Sequence, residues 1–302
     1  MTDRVKLSHP DKVLFPEDGI TKAELADYYL TVAPLMLPLV SGRPVTMQRF
    51  PNGIGRGGFL QKQIGDYFPD WIERVTAPNR RTRTATTREE VTYVVCRGAD
   101  DLAYLANQAC ITPHVWLSRA PAIYQPDQLV FDLDPASDDP RVLRLAAASL
   151  HQLLDELGLP SFLKSSGSRG LHVVVPLVPA EETDPVKIFS IAVTEVLAAR
   201  HPEELATEAR IADRHGRLYL DIGRNGYAQT MAAPYAVRAL PGAPVSVPLD
   251  WSELDEFDPR RHTVRNIADR LAQPDPWAGI DRAASPLDGA RSRLAELGGP
   301  AA

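Results

Sequence analysis

Thiols are nearly absent from this chain. Cys96 and Cys110 are its two cysteines in 302 residues, and they form no CxxC pair. That excludes a disulfide framework and a thiolate zinc site, and predicts two small core side chains. Long apolar runs are lacking as well. None approaches the roughly 18 residues that a bilayer span requires, and Met1-Thr2-Asp3-Arg4 opens neither a secretory nor a transit leader. A cytoplasmic protein with no membrane partner is expected. No internal repeat is visible. The glycine-rich loop Gly53-Ile54-Gly55-Arg56-Gly57-Gly58 has no helical pattern behind it, so P-loop and dinucleotide-binding readings fail there.

Net positive charge is missing too. The formal charge is −6, which by itself argues against a nucleic-acid partner. The distribution argues otherwise. Residues 43–97 hold Arg43, Arg49, Arg56, Lys62, Arg74, Arg80, Arg81, Arg83, Arg88 and Arg97 against five acids, a local +5. Such segregation permits a basic groove beside an acidic remainder, or simply a solvated basic face.

What is present is an ordinary globular sequence, 44% hydrophobic and long enough to bury a core. Residues 21–40 read as a helix: Thr21 caps it, Glu24 completes a capping box, and Leu25, Tyr28, Tyr29, Val32 and Leu35 follow helical spacing. Composition predicts strands at 90–96, 128–134, 161–164, 171–177 and 218–222, and helices at 100–110, 141–157 and 185–200. After Trp251 the pattern turns helical again. Residues 283–302, rich in Ala, Gly and Pro, are expected as a flexible tail behind a folded domain at 1–282. Strand 128–134 leads through a helix to 161–164 and then directly into a hairpin, which favours a mixed sheet over a purely parallel one.

Chemistry concentrates in two stretches. Val130-Phe131-Asp132-Leu133-Asp134-Pro135 reads as a strand with Leu129, Phe131 and Leu133 on one face and two carboxylates on the other. Two anions about 6 Å apart repel by roughly 3 kcal/mol at an effective dielectric of about 20. A cation between them or a shared proton would relieve that; two solvated acids at a strand end is the plain alternative. Asp221, inside Tyr219-Leu220-Asp221-Ile222, adds a third strand-borne carboxylate where an unpaired charge is costly. Three such aspartates can hold two divalent ions, one to activate a 3′ hydroxyl and one to hold a leaving pyrophosphate. The second stretch is Ser165-Ser166-Gly167-Ser168-Arg169-Gly170-Leu171-His172. Ser166, Ser168, Arg169 and the amides of Gly167 and Gly170 could cradle a triphosphate, with His172 beside it. An ordinary glycine-containing hairpin turn is the alternative. Phe59, in Gly58-Phe59-Leu60-Gln61-Lys62-Gln63, could stack on a base or fill the core, core being the default. Lys12 and Lys22 read as surface lysines.

These motifs, in this order and followed by Leu-Asp-Ile-Gly-Arg-Asn and Ala-Pro-Tyr-Ala-Val-Arg, resemble the polymerase domain of bacterial ligase D, of the archaeo-eukaryotic primase superfamily. The likeness runs from Asp11 to about Trp251. It implies a mixed α/β (α+β) fold, with an N-terminal α/β module, an RRM-like module and the active site between them. It implies Asp132, Asp134 and Asp221 as catalytic metal ligands, holding two ions of Mn²⁺ or Mg²⁺. Ser166, Ser168, Arg169, His172 and Arg238 would meet the incoming NTP or dNTP. Lys12 and Lys22 would hold a 5′ phosphate, while Phe59 and Lys62 would meet the template. The implied activity is template-directed nucleotidyl transfer at gaps or double-strand breaks, in non-homologous end joining or gap-filling repair. The expected setting is the bacterial nucleoid, and the expected partners are a separate DNA ligase and a Ku-like end-binding protein. No ligase or phosphoesterase module accompanies the motifs, so a stand-alone, monomeric form is expected. Two rival readings stand beside it. A haloacid-dehalogenase-like phosphatase also places Asp-x-Asp at a strand end, and a non-catalytic DNA-end-binding module would use the lysines and the basic stretch alone.

Overall fold

In the computed structural model, residues 4–79, 89–136 and 139–299 are described. In chain order the elements are β1 (Val13–Phe15), β2 (Ile20–Thr21), α1 (Lys22–Val40), β3 (Pro44–Arg49), β4 (Phe59–Gln61), β5 (Glu73–Pro78), β6 (Glu90–Val95), α2 (Ala99–Asn107) and β7 (Cys110–Trp116). There follow β8 (Gln128–Asp134), α3 (Pro140–Glu156), β9 (Phe162–Ser165), β10 (Leu171–Pro176), α4 (Thr183–Arg200), β11 (Leu205–Ala206), β12 (Leu218–Asp221), β13 (Thr230–Ala232), β14 (Pro248–Leu249), α5 (Ile267–Leu271) and α6 (Asp288–Glu296).

Local chemistry explains the boundaries. Thr21 Oγ1 accepts from the amide of Glu24 at 3.2 Å, and the Glu24 carboxylate accepts from the Thr21 amide at 2.8 Å, so α1 starts on a reciprocal capping box. Asp139 caps α3 with Pro140 at its first position, where a missing N–H costs nothing. After Trp251 helix is sparse among the described residues: two short 3-10 turns (Trp251–Glu253 and Ile280–Ala283) and the five-residue α5 precede α6. Pro259, Pro274, Pro276 and Pro286 interrupt the stretch expected to be helical.

The chain forms two units, neither continuous in sequence: 1–123 with 230–245 and 263–271, and 124–229 with 246–262 and 272–302. The first unit carries a sheet of order β13-β7-β3-β6-β5, antiparallel throughout, with β4 also pairing β3. Cys96 and Cys110 are free, buried residues of this unit, and burial pushes the Cys110 thiol up to about 12. Of the basic stretch at 43–97, Arg80, Arg81, Arg83 and Arg88 lie outside the described residues. Arg43 is fully buried and donates to the carbonyls of Leu39 and Trp116, so its role is structural. Arg97 pairs with Glu73 at 2.8 Å.

The second unit carries a mixed sheet of order β11-β12-β8-β10-β9-β14, in which only the β11–β12 pair is parallel. The run β8-α3-β9-β10-α4-β12 with spatial order β12-β8-β10-β9 is a split β-α-β-β-α-β unit. This is the RRM-like module, and the mixed sheet matches the expectation. Leu129, Phe131 and Leu133 point to one face of β8 and pack with Leu143, Leu150, Leu153 and Leu154 of α3 and Val186, Phe189, Val193 and Leu197 of α4. Burying each such side chain is worth about 1.5–3 kcal/mol, so the helix-covered face is where this unit's stability resides. The opposite face of β8 carries Gln128, Val130, Asp132 and Asp134, with the two aspartates at its C-terminal end.

The tail expected at 283–302 is corrected over 288–296. Those residues form α6, whose Ala290 and Leu294 join the core together with Leu287. Arg291 closes a bidentate pair on Glu181 at 2.6 and 2.8 Å. Apolar residues at 287, 290 and 294 have helical spacing, and that periodicity outweighs the local Gly and Pro content.

Candidate active site

Register builds the site. On β8, Asp132 stands directly opposite Asp221 of β12 on one side and His172 of β10 on the other. His172 in turn faces Lys164 of β9. Directly opposed residues share a face, so Lys164, His172, Asp132 and Asp221 form one row across four strands. Asp134 and Tyr219 are the opposed pair beside it. Lys164, His172 and Asp132 are buried, and Asp134 is exposed.

Burial dominates the electrostatics of Asp132. It pushes the carboxyl up to about 6, Arg224 pulls it down, and the charges of Asp134 and Asp221 push it up further. Arg224 Nε lies 3.4 Å from Asp132 Oδ2 and its Nη2 3.9 Å from Asp221 Oδ2. His172 Nε2 is 3.4 Å from Asp132 Oδ1. Asp221 Oδ1 accepts from the Gly223 amide at 2.7 Å. The turn that carries Arg224 is held by Asn225, whose amide group bonds both the N–H and the carbonyl of Val130, at 2.9 and 2.8 Å.

The loop between β9 and β10 is tied from within. Ser166 Oγ accepts from the amides of Ser168 at 3.2 Å and Gly170 at 3.0 Å, and the Ser166 amide donates to the Gly170 carbonyl. The Gly170 amide, expected to face a phosphate, is therefore engaged by Ser166. Gly167 has φ +65°, and a Cβ at Gly170 would lie 2.3 Å from the Leu133 carbonyl oxygen, so glycine is required at both. Arg169 is exposed and Ser168 half-buried, and they line a cavity of about 400 Å³ with Pro135, Leu143, Phe257 and Arg260. Behind the loop, the fully buried Lys164 Nζ bonds Ser246 Oγ, which donates to the Ser165 carbonyl at 2.7 Å.

The remaining candidates belong to the first unit. Lys22, read as a surface lysine, is buried at the start of α1 with Nζ 2.7 Å from the Ser8 carbonyl oxygen. Long aliphatic stems bury readily when the head finds an acceptor. Burial first, then Lys12 and Arg49, lower its pKa. Lys12 is exposed, with Nζ 3.5 Å from Asn52 Oδ1. Phe59 does not fill the core: it is 49% exposed, and the Arg49 guanidinium lies 5.7 Å from its ring centre. Lys62 is half-buried just after β4. Arg238 is half-buried, its amide bonded to the Pro244 carbonyl at 2.7 Å.

Arg224, Asn225, Lys164 and Arg49 carry no assigned role in the sequence reading. Arg224 and Asn225 stand inside the motif Leu-Asp-Ile-Gly-Arg-Asn and Arg49 inside the basic stretch, but neither pattern says what the side chain holds. Lys164 and Arg49 acquire meaning only through cross-strand and loop contacts.

Three carboxylates offer the all-oxygen donor set that Mg²⁺ or Mn²⁺ prefers, and register gathers their backbones. The side-chain oxygens do not converge: among the described residues no group of three or more His, Cys, Asp or Glu is arranged as a metal site. Arg224 supplies the positive charge between Asp132 and Asp221 instead. The donor chemistry fits a divalent ion, and the raised pKa of Asp132 reflects its burial first and the charges of Asp134 and Asp221 after it.

The second unit is thus a split β-α-β-β-α-β sheet with three strand-borne carboxylates on the face away from its helices and a donor loop beside them. The family described as LigD, primase-polymerase domain, matches residues 21–277, and the chain belongs to it. It is 33% identical over 272 residues to the multifunctional non-homologous end joining protein LigD of Mycolicibacterium smegmatis, covering 89% of this chain and 35% of that protein. It is 34% identical to LigD of Pseudomonas aeruginosa, over 92% of this chain and 33% of that one. The polymerase domain of Mycobacterium tuberculosis ligase D, solved in complex with DNA, superposes with a TM-score of 0.85 at 32% identity, covering 94% of this chain and all of that one. The chain spans about a third of the length of these curated relatives. The phosphatase and non-catalytic readings find no support.

Proposed function

We propose that this protein is a template-directed repair polymerase that adds NTPs or dNTPs to a 3′ end at a gap or break bearing a 5′ phosphate, in end joining or gap filling. The observation that carries the reading is the strand register that sets Asp221 opposite Asp132, with Asp134 two residues along the same face. Asp132, Asp134 and Asp221 would hold two divalent ions, Mn²⁺ or Mg²⁺, which when bound neutralise the triphosphate and activate the 3′ hydroxyl. Arg224 moderates the repulsion between Asp132 and Asp221. Ser168 and Arg169 bind phosphate oxygens, Ser166 holds the loop in shape for them, and His172 orients Asp132. Arg238 contributes a further cation for the nucleotide. Lys12 and Lys22 bind the 5′ phosphate, whose charge offsets the penalty that burial places on the Lys22 ammonium. Phe59 packs against the template, with Lys62 nearby.

The expected partners are a ligase, for which the polymerase prepares ends, and a Ku-like end-binding protein, all acting in the bacterial cytoplasm. No helix among the described residues is long and apolar enough to cross a membrane. The test is primer extension on a one-nucleotide gap, with NTPs or dNTPs, with Mn²⁺ or Mg²⁺, and with or without the 5′ phosphate. Extension that needs a divalent ion and is lost in Asp132→Ala and Asp134→Ala is expected. Undiminished synthesis by either variant would overturn the assignment of the aspartates.

A further inference from the structure

Tyr67 is both exposed and held. Its side chain is 58% exposed, yet three features fix the ring. The hydroxyl accepts a hydrogen bond from Arg49 Nη1 at 2.9 Å. The ring centre lies 5.1 Å from that of Phe68, which packs edge-on against Tyr104 at 5.1 Å, and Tyr104 meets Trp71 at 5.8 Å. Gly65 leaves the ring its place, because a Cβ there would come within 2.3 Å of it. Tyr67 is thus the outer member of a chain of four rings, with open surface remaining. A ring ordered in advance loses little freedom when something stacks on it.

Arg49 connects this ring to a second one. Its guanidinium carbon stands 5.7 Å from the centre of the exposed Phe59 ring. The same guanidinium group bonds Gln61 Oε1 at 2.6 Å and the Gln108 carbonyl at 2.7 Å, which locks it between the rings. Arg49 also acts electrostatically on Lys22, as does Lys12. Two open aromatic surfaces joined by a fixed guanidinium, next to two lysines, match one occupant in both shape and charge. Unpaired bases offer π faces and the linked phosphates offer anions, whereas an apolar peptide would leave the cations unused.

We propose that Tyr67 is a stacking platform for an unpaired base of a nucleic-acid strand, forming with Arg49 and Phe59 one binding surface for single-stranded DNA. The inference rests on the gap-binding reading above and names a contact which that reading does not contain. Base–aromatic stacking is worth about 1–3 kcal/mol, a change in affinity of roughly 5- to 150-fold.

The test is equilibrium titration of a gapped duplex carrying 2-aminopurine in the unpaired stretch, alongside the same duplex with the gap closed. Tyr67→Ala should weaken binding of the gapped substrate by about 5- to 150-fold and lose quenching of the 2-aminopurine, with the closed duplex unchanged. Tyr67→Phe, which keeps the ring and loses only the hydroxyl, should bind within about threefold of the parent. If thermal unfolding shows Tyr67→Ala to be misfolded, Tyr67→Leu, which keeps apolar bulk without a π face, is read in its place. Gapped-substrate binding within twofold of the parent, equal losses on both duplexes, or a Tyr67→Phe variant as weak as the alanine one would each overturn the proposal. The readout needs no catalysis. A parent protein that extends no primer while Tyr67 still governs gap binding would sink the polymerase reading alone, and the reverse result would sink this one alone.

Discussion

Asp132→Asn should make the protein more stable and inactive at once. The parent carboxyl titrates at about 6 in the fold, against about 3.9 in an unfolded chain. Between those values the unfolded state binds fewer protons than the native one, so stability falls as pH rises through the window from about 4 to 6. At about 1.4 kcal/mol per pH unit, the ionised carboxylate costs the fold about 3 kcal/mol above pH 6, already net of the attraction to Arg224. Asparagine is close to the protonated acid in size and hydrogen bonding, and so escapes that cost. Urea unfolding from pH 4 to pH 8 in a chelator is the assay. The two proteins should coincide near pH 4 and separate by up to about 3 kcal/mol by pH 7, with primer extension lost in the variant. Mn²⁺ or Mg²⁺ should stabilise the parent at pH 7 and leave the variant unchanged, closing much of the gap. Parallel stability curves across the pH range, or a variant less stable at pH 7, would refute the reasoning that burial and like charge dominate at Asp132.

Ser166→Ala leaves the amides of Ser168 and Gly170 without their acceptor and should cost about 1–3 kcal/mol of stability. Its KM for the nucleotide should rise more than its affinity for DNA falls, as steady-state extension kinetics would register. Lys22→Met should abolish any preference for a 5′-phosphorylated gap over a 5′-hydroxyl one, measured by fluorescence titration at two salt concentrations. Truncation after Ser285 removes Leu287, Ala290 and Leu294 from the core. It should lower the melting temperature by several degrees, whereas a tail with no packing role could be cut at no cost.

How much was legible depends on the range of the interaction. The capping box at Thr21, the alternation in 128–134 and the stripe of α3 are local patterns, and they mark α1, β8 and α3 to within a residue or two. Motif order carried the family, because each motif is a contiguous string. Phe59 and Lys22 show the limit. An aromatic and a lysine each have a default environment by composition, and both defaults failed, since exposure is set by what packs above a residue. The tail differs for a related reason: its Gly and Pro content points to disorder, while the apolar stripe at 287, 290 and 294 gains meaning only against the core of the second unit.

For the aspartates, sequence alone determined that Asp132 and Asp134 share a face, since side chains alternate along any strand, and that a glycine-rich donor loop precedes an apolar strand. It could not set Asp221 opposite Asp132, nor run Lys164, His172, Asp132 and Asp221 in one row. Those neighbours come from β9, β10, β8 and β12, which are separated by helices and loops along the chain. Only antiparallel pairing, with its register fixed by the leucines and valines buried under α3 and α4, buries Asp132 beside those charges and so pushes it up to about 6.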